Sequence, residues 1–154
     1  IELETISSAL AGFQGVKRRM EILASQEDYV IYDDFAHHPT EILKTLASLR
    51  EKIGNDQIIA LIEPRSRTMQ SGLHDKEMAK ALSPADSVIW YEGQDVKRSM
   101  SAELKKAKAE VYFAANISEI IQITRQIKTT KSNIVIMSNG DFSGLRELIK
   151  KELD

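Results

Sequence analysis

Two aspartates, two histidines, a proline and a glutamate fall within the stretch Asp-Asp-Phe-Ala-His-His-Pro-Thr-Glu at 33–41. A carboxylate at Asp33 or Asp34 can accept from a ribose hydroxyl or hold a cation. Aspartate is equally common in turns and helix caps, so both readings stand from position alone. His37 and His38 are adjacent, and neighbouring residues rarely chelate one metal from a regular element. Zinc needs three or four convergent ligands, and one further histidine with no cysteine does not complete a set. No metal site is therefore expected. One imidazole binding a phosphate or carboxylate is favoured over a metal site; one histidine capping a helix with the other exposed is the alternative. His74, alone at the start of a helical pattern, reads as a surface residue.

Two other stretches offer groups for anions. Glu-Pro-Arg-Ser-Arg-Thr at 63–68 places Arg65 and Arg67 just after an apolar run. Guanidinium forks match carboxylate and phosphate geometry, although a solvated loop would look the same. Ser-Asn-Gly-Asp-Phe-Ser-Gly at 138–144 supplies hydroxyls and backbone N–H groups ahead of a helix, which suits an anion or merely a cap.

These groups need strands and helices to hold them. Residues 29–32 form a short β-prone run, and Pro39 sits where a helix's first turn tolerates proline. Ile42, Leu46, Leu49 and Ile53 then mark one helical face, with Gly54 as the stop. Residues 58–62 are apolar throughout, as in a strand buried on both sides. Periodicity further predicts helices over 3–11, 75–82, 101–108, 117–127 (capped by Asn116) and 145–153. Strands are predicted over 86–91, 109–113 and 134–137, and a weak one over 19–23. Such alternation predicts one α/β domain, doubly wound and Rossmann-like, with a mostly parallel sheet of about six strands and one antiparallel edge strand. Ligands of such sheets bind outside the carboxyl ends of the strands. The three polar stretches all fall there.

Composition narrows the classes. The 154 residues are enough for one domain with a real core. With 21 basic and 23 acidic residues the net charge is -2, which gives no electrostatic case for nucleic acid or an anionic membrane. The absence of cysteine excludes disulfides, thiolate metal sites and cysteine nucleophiles. No apolar run approaches the ~20 residues that span a bilayer. The first residue is isoleucine, read here as a sign that the chain was cut from a longer one. Phosphate-loop, dinucleotide-binding and nucleophile-elbow motifs are missing. The chain offers positioning groups without a full catalytic engine.

At Arg-Arg-Met-Glu (18–21), at 33–41 and at Ser-Asn-Gly (138–140), the sequence resembles the C-terminal domain of the Mur ligases, the ATP-dependent amide-forming enzymes of peptidoglycan synthesis. The 33–41 string is most similar to the UDP-N-acetylmuramate-using members. Glu-Pro-Arg-Ser-Arg-Thr-Met (63–69) and Met-Ser-Asn-Gly-Asp-Phe-Ser-Gly (137–144) resemble the branch that recycles murein peptides. The L-alanine-adding branch, the alternative, typically has a Gln-Pro-His-Arg-like stretch in place of the first.

That resemblance implies a three-domain bacterial cytoplasmic ligase. Residues 1–12 would leave a preceding central domain, and 13–154 would be the C-terminal domain. ATP would phosphorylate the carboxylate of UDP-N-acetylmuramate, and the amine of L-alanyl-γ-D-glutamyl-meso-diaminopimelate would displace phosphate. ATP and Mg2+ would be needed, with Mg2+ held mainly by the central domain. By matching positions, Arg19 would reach the ATP phosphates and Asp33 and Asp34 the nucleotide, Asp34 on its ribose side. His37 or His38 would place the amine or the acyl phosphate. Arg65 and Arg67 would bind tripeptide carboxylates, and Ser143 with the Gly144 amide a further one. The chain alone, lacking the phosphate loop, is expected to be inactive.

Two other classes compete. A metal-dependent phosphoesterase would use Asp-x-x-x-His-His, but it needs more Asp/His clusters at strand ends. A free-standing anion- or nucleotide-binding module would need no further domains.

Overall fold

Alternation within one strand sets the layers. The computed structural model describes residues 2–12, 16–65, 74–93 and 101–153. In β3 (Gln57–Ile62), Ile58, Ala60 and Ile62 enter one core while Ile59 and Leu61 enter the other. All of them are fully buried, as an apolar strand between two helical layers requires.

The other strands are β1 (Glu21–Ser25), β2 (Tyr29–Asp34), β4 (Ser87–Tyr91), β5 (Glu110–Ala114) and β6 (Ser132–Met137). They form a six-stranded sheet in the order β1-β2-β6-β3-β4-β5. β1 pairs antiparallel to β2, with an irregularity between Ile22 and Ala24, and every other pairing is parallel. The expected mixed sheet with one antiparallel edge is the one found.

The helices are α1 (Leu3–Ala11), α2 (Pro39–Ile53), α3 (Asp75–Ala81), α4 (Ser101–Leu104), α5 (Ile117–Ile127) and α6 (Leu145–Leu153), with a 3-10 turn over Phe142–Gly144. Ile42, Leu46 and Leu49 of α2 share one core with Met78 and Ala81 of α3 and Leu104 of α4. Burying each large side chain stabilises the fold by about 2 kcal/mol. Ile120 and Ile121 of α5 and Leu145 and Ile149 of α6 fill the opposite core. The chain thus leaves β2 over one face, returns to β6 over the other, and slots β6 between β2 and β3. Connections diverge on each side of β6, which makes its carboxyl end a topological switch point.

Several boundaries differ from the sequence expectation, β6 among them, which starts at Ser132 instead of residue 134. β2 extends through Asp33 and Asp34, which pair with Ile136 and Met137 of β6. β1 starts at Glu21, behind a turn in which Arg18 and Met20 take positive φ of 58° and 50°. α4 stops at Leu104 instead of reaching residue 108. Leu104 is fully buried, but the lysines at 105 and 106 are exposed, and a short helix without an apolar row to bury is not sustained. Among the described residues no helix is long and apolar enough to cross a membrane.

Candidate functional site

Adjacent residues of a strand face opposite ways, and Asp33 and Asp34 do so at the end of β2. Asp34 meets α2. Its Oδ1 accepts from the Ala36 N–H at 2.8 Å and the Thr45 hydroxyl at 3.4 Å, and its Oδ2 accepts from the Met20 N–H at 2.9 Å. Both oxygens are thus engaged inside the fold. The turn at 18–21 is further held by the Arg18 N–H to Glu21 Oε2 at 2.8 Å and by the Phe35 N–H to the Arg18 carbonyl at 2.8 Å. Positive φ costs a non-glycine residue on the order of 1 kcal/mol, and these bonds offset it.

Asp33 meets the other layer. It is 2% exposed, and its Oδ2 lies 2.8 Å from Arg146 Nε and 3.4 Å from Arg18 Nε. Neither contact is aligned as a hydrogen bond, and Asp33 Oδ1 has no partner. The attraction is therefore Coulombic. One nitrogen of each guanidinium donates to carbonyls instead. Arg18 Nη2 donates to Ser138 O and, at 3.0 Å, to Gly140 O; Arg146 Nη1 donates to Gly140 O at 3.1 Å and Asp141 O at 2.7 Å. Together they fix the loop that leaves β6.

That loop is also tied to its neighbours. The Ser138 N–H donates to the Asp34 carbonyl at 3.2 Å, and the Glu63 N–H to the Met137 carbonyl at 3.1 Å. Ser138 Oγ donates to Glu63 Oε2 and accepts from the Gly140 N–H at 2.9 Å. Arg65 is exposed and lies across Gly140, where a Cβ would sit 2.3 Å from its Nη1. A side chain at 140 would displace Arg65 from this place.

A cationic rim adjoins the turn. The Arg18 and Arg19 guanidiniums lie 4.9 and 5.8 Å from the centre of the Phe35 ring, and Arg19 is exposed. His37 Nδ1 is 3.1 Å from the Phe35 carbonyl. His38 caps α2, its Nδ1 accepting from the Thr40 N–H at 3.4 Å, and Glu41 closes the capping box. Burial acts to raise the Glu41 pKa, but the His37 and His38 N–H groups, with the His37 and Arg19 charges, hold it below the usual value.

His74 is not isolated. Its ring meets that of His38 edge to face at 4.6 Å, and its Nδ1 lies 2.6 Å from Glu77 Oε2.

The structure brings Asp33, Asp34 and Arg65 to the carboxyl ends of β2, β6 and β3, with Arg19 and His37 on the rim. His38 turns to α3. Ser143 is exposed, with φ 50° and ψ 37°; the Gly144 N–H is already taken by Asp141 Oδ2 at 3.0 Å. Arg67 lies outside the described residues. Sequence reasoning missed Arg18, Arg146 and the Glu63–Ser138 pair. Their contacts join distant parts of the chain, and local spacing carries no trace of them. A cavity of about 560 Å³ lies elsewhere, lined by Lys76, Lys80, Lys106, Lys108 and Glu103 among others.

A family model described as "Mur ligase, glutamate ligase domain" matches residues 18–140. The chain belongs to this family. This Mur ligase domain is 34% identical over 154 residues to the UDP-N-acetylmuramate--L-alanyl-gamma-D-glutamyl-meso-2,6-diaminoheptandioate ligase of Haemophilus influenzae, covering 99% of the chain and 34% of that protein. It is 46% identical over 148 residues to the UDP-N-acetylmuramate--L-alanine ligase of Streptococcus agalactiae serotype Ia, covering 92% of the chain and 32% of that protein. The solved murein peptide ligase of Psychrobacter arcticus superposes with a TM-score of 0.81 at 34% identity, over 97% of the chain and 32% of that protein. The domain thus spans about a third of the length of these relatives.

Proposed function

We propose that this Mur ligase domain is the third domain of an ATP-dependent ligase that joins L-alanyl-γ-D-glutamyl-meso-diaminopimelate to UDP-N-acetylmuramate in the bacterial cytoplasm. The single observation that carries the reading is the loop 138–140, held between the Asp34 and Glu63 strand ends with Arg65 laid across it. It combines a preset backbone with a cation at the topological switch point, where this fold class takes its ligands.

Arg19, exposed beside Phe35, is suited to the ATP phosphates. Asp34 supports the nucleotide side through the turn it braces, and Asp33 does so through the arginines it gathers. His37 or His38 places the amine or the acyl phosphate. Arg65 and Arg67 take tripeptide carboxylates, and Ser143 a further one; the Gly144 amide joins it where Asp141 releases that N–H. Among the described residues no three His, Cys, Asp or Glu side chains converge as metal ligands. In this reading Mg2+ is held mainly by a preceding central domain, and residues 1–12 lead in from it. The isolated domain would neither hydrolyse ATP nor form the amide.

The 46% identity to an L-alanine ligase favours a second reading, in which the amine is L-alanine. The complete gene product is incubated with ATP, Mg2+, UDP-N-acetylmuramate and either amine, and products are read by mass spectrometry. Tripeptide adduct with ADP release is expected. L-alanine adduct alone would select the second reading, and the formation of neither adduct would overturn the ligase assignment.

A further inference from the structure

Lysines and acids are not evenly matched over this chain. Lys128 meets Asp28, and Lys150 lies 2.8 Å from Glu147. Between α3 and the turn that follows α4, the balance fails. The cavity of about 560 Å³ there is lined by Lys76, Lys80, Lys106 and Lys108, with Glu103 and Ser83 among the other residues. Glu103 meets Lys106, each carboxylate oxygen 2.9 Å from Nζ. Glu77, on α3 between Lys76 and Lys80 in sequence, is taken by His74, whose Nδ1 lies 2.6 Å from its Oε2. Among the described residues no carboxylate pairs with Lys76, Lys80 or Lys108.

Like charges gathered in this way repel. Lys76 and Lys80 stand one helical turn apart, a spacing at which equal charges destabilise a helix. All four lysines are exposed, so solvent screens part of the repulsion. An anion seated among them removes the rest.

The site is concave, and its volume falls in the roughly 300–1,000 Å³ range of small-molecule pockets. A nucleic acid is met instead by an extended basic face, and the net charge of -2 does not favour one. An ammonium is a compact point charge with three donors, which suits phosphate oxygens. One phosphate monoester carries about two negative charges at neutral pH, less than the three unpaired lysines offer. Two adjoining phosphates come closer to their sum.

We propose that this cavity is an anion site for a small molecule carrying adjoining phosphate groups. Inorganic pyrophosphate and the diphosphate end of a nucleotide share that chemistry. The site shares no residue with the strand-end site and does not depend on the ligase reading.

The test is calorimetric titration of pyrophosphate into the complete gene product and into a double variant, Lys76→Gln with Lys80→Gln. Pyrophosphate bound elsewhere on the gene product is common to both, so the difference reports this cavity. The double variant is expected to bind about tenfold more weakly, with the gap narrowing as salt is raised. Lys76→Arg with Lys80→Arg, which keeps both charges, stays within about twofold of the parent. Parent and glutamine variant binding alike overturns the proposal, as does an equal loss in the arginine variant. Orthophosphate bound at this cavity as tightly as pyrophosphate also overturns it. Titration with ADP separates the sources: the same loss for ADP identifies a nucleotide diphosphate as the ligand, and a loss for pyrophosphate alone identifies the inorganic anion.

Discussion

Arg146 Nε stands 2.8 Å from Asp33 Oδ2, and this pair ties the last helix to the strand that carries the His-His turn. Arg18 Nε lies 3.4 Å from the same oxygen. One buried carboxylate thus gathers two cations, and those cations hold the carbonyls of the 138–141 loop.

Replacing Asp33 by Asn leaves two guanidiniums with no counter-charge. A loss of about 3 kcal/mol is expected in urea unfolding at neutral pH, as for other broken buried pairs. A loss below about 1 kcal/mol would mean that the carbonyls hold the arginines without it.

Gly140→Ala addresses the loop itself. The added Cβ would lie 2.3 Å from Arg65 Nη1 and 2.8 Å from its Cδ. An exposed side chain can swing away, so stability should change by no more than about 1 kcal/mol. Arg65 would nonetheless leave its place. Amine-substrate KM in the complete gene product should rise about tenfold with ATP KM unchanged; an unchanged amine KM would take Arg65 out of substrate binding.

Glu41 gives a pH signature. Its pKa is held low in the folded protein despite partial burial, so its contribution is present above the unfolded value and lost as pH falls through the folded one. Glu41→Ala should cost about 0.5–1 kcal/mol at neutral pH, reduced by solvent screening at this half-exposed position. The gap from the parent should close as the solution is acidified below the ordinary glutamate range. A gap independent of pH would assign the effect to packing instead of charge.

Much of this was legible locally. Pro39, the Ile42–Leu46–Leu49 spacing and the Asn116 cap announce α2 and α5 because helix starts and apolar faces are short-range signals. The continuous apolar run of β3 reports burial on both faces. The place of β6 between β2 and β3 was not legible, since pairing partners lie far apart in sequence and any parallel order fits the same alternation. The site divides the same way. Asp34 was open to both a ligand and a bracing reading, and its geometry depends on Met20, fourteen residues earlier, at positive φ. Arg146 reads as an ordinary helix-surface cation until α6 packs against β2. His38 was open to capping, but its contact with His74 required α3 to lie beside α2.

The central claim is that the carboxyl ends of β2, β6 and β3 are where nucleotide and acceptor meet. A crystal structure of the complete gene product with a non-hydrolysable ATP analogue and the tripeptide tests it most directly. The account predicts nucleotide phosphates at Arg19 and a tripeptide carboxylate at Arg65, each within about 3 Å. Both ligands seated away from these strand ends, for instance in the lysine-lined cavity by α3, would contradict it.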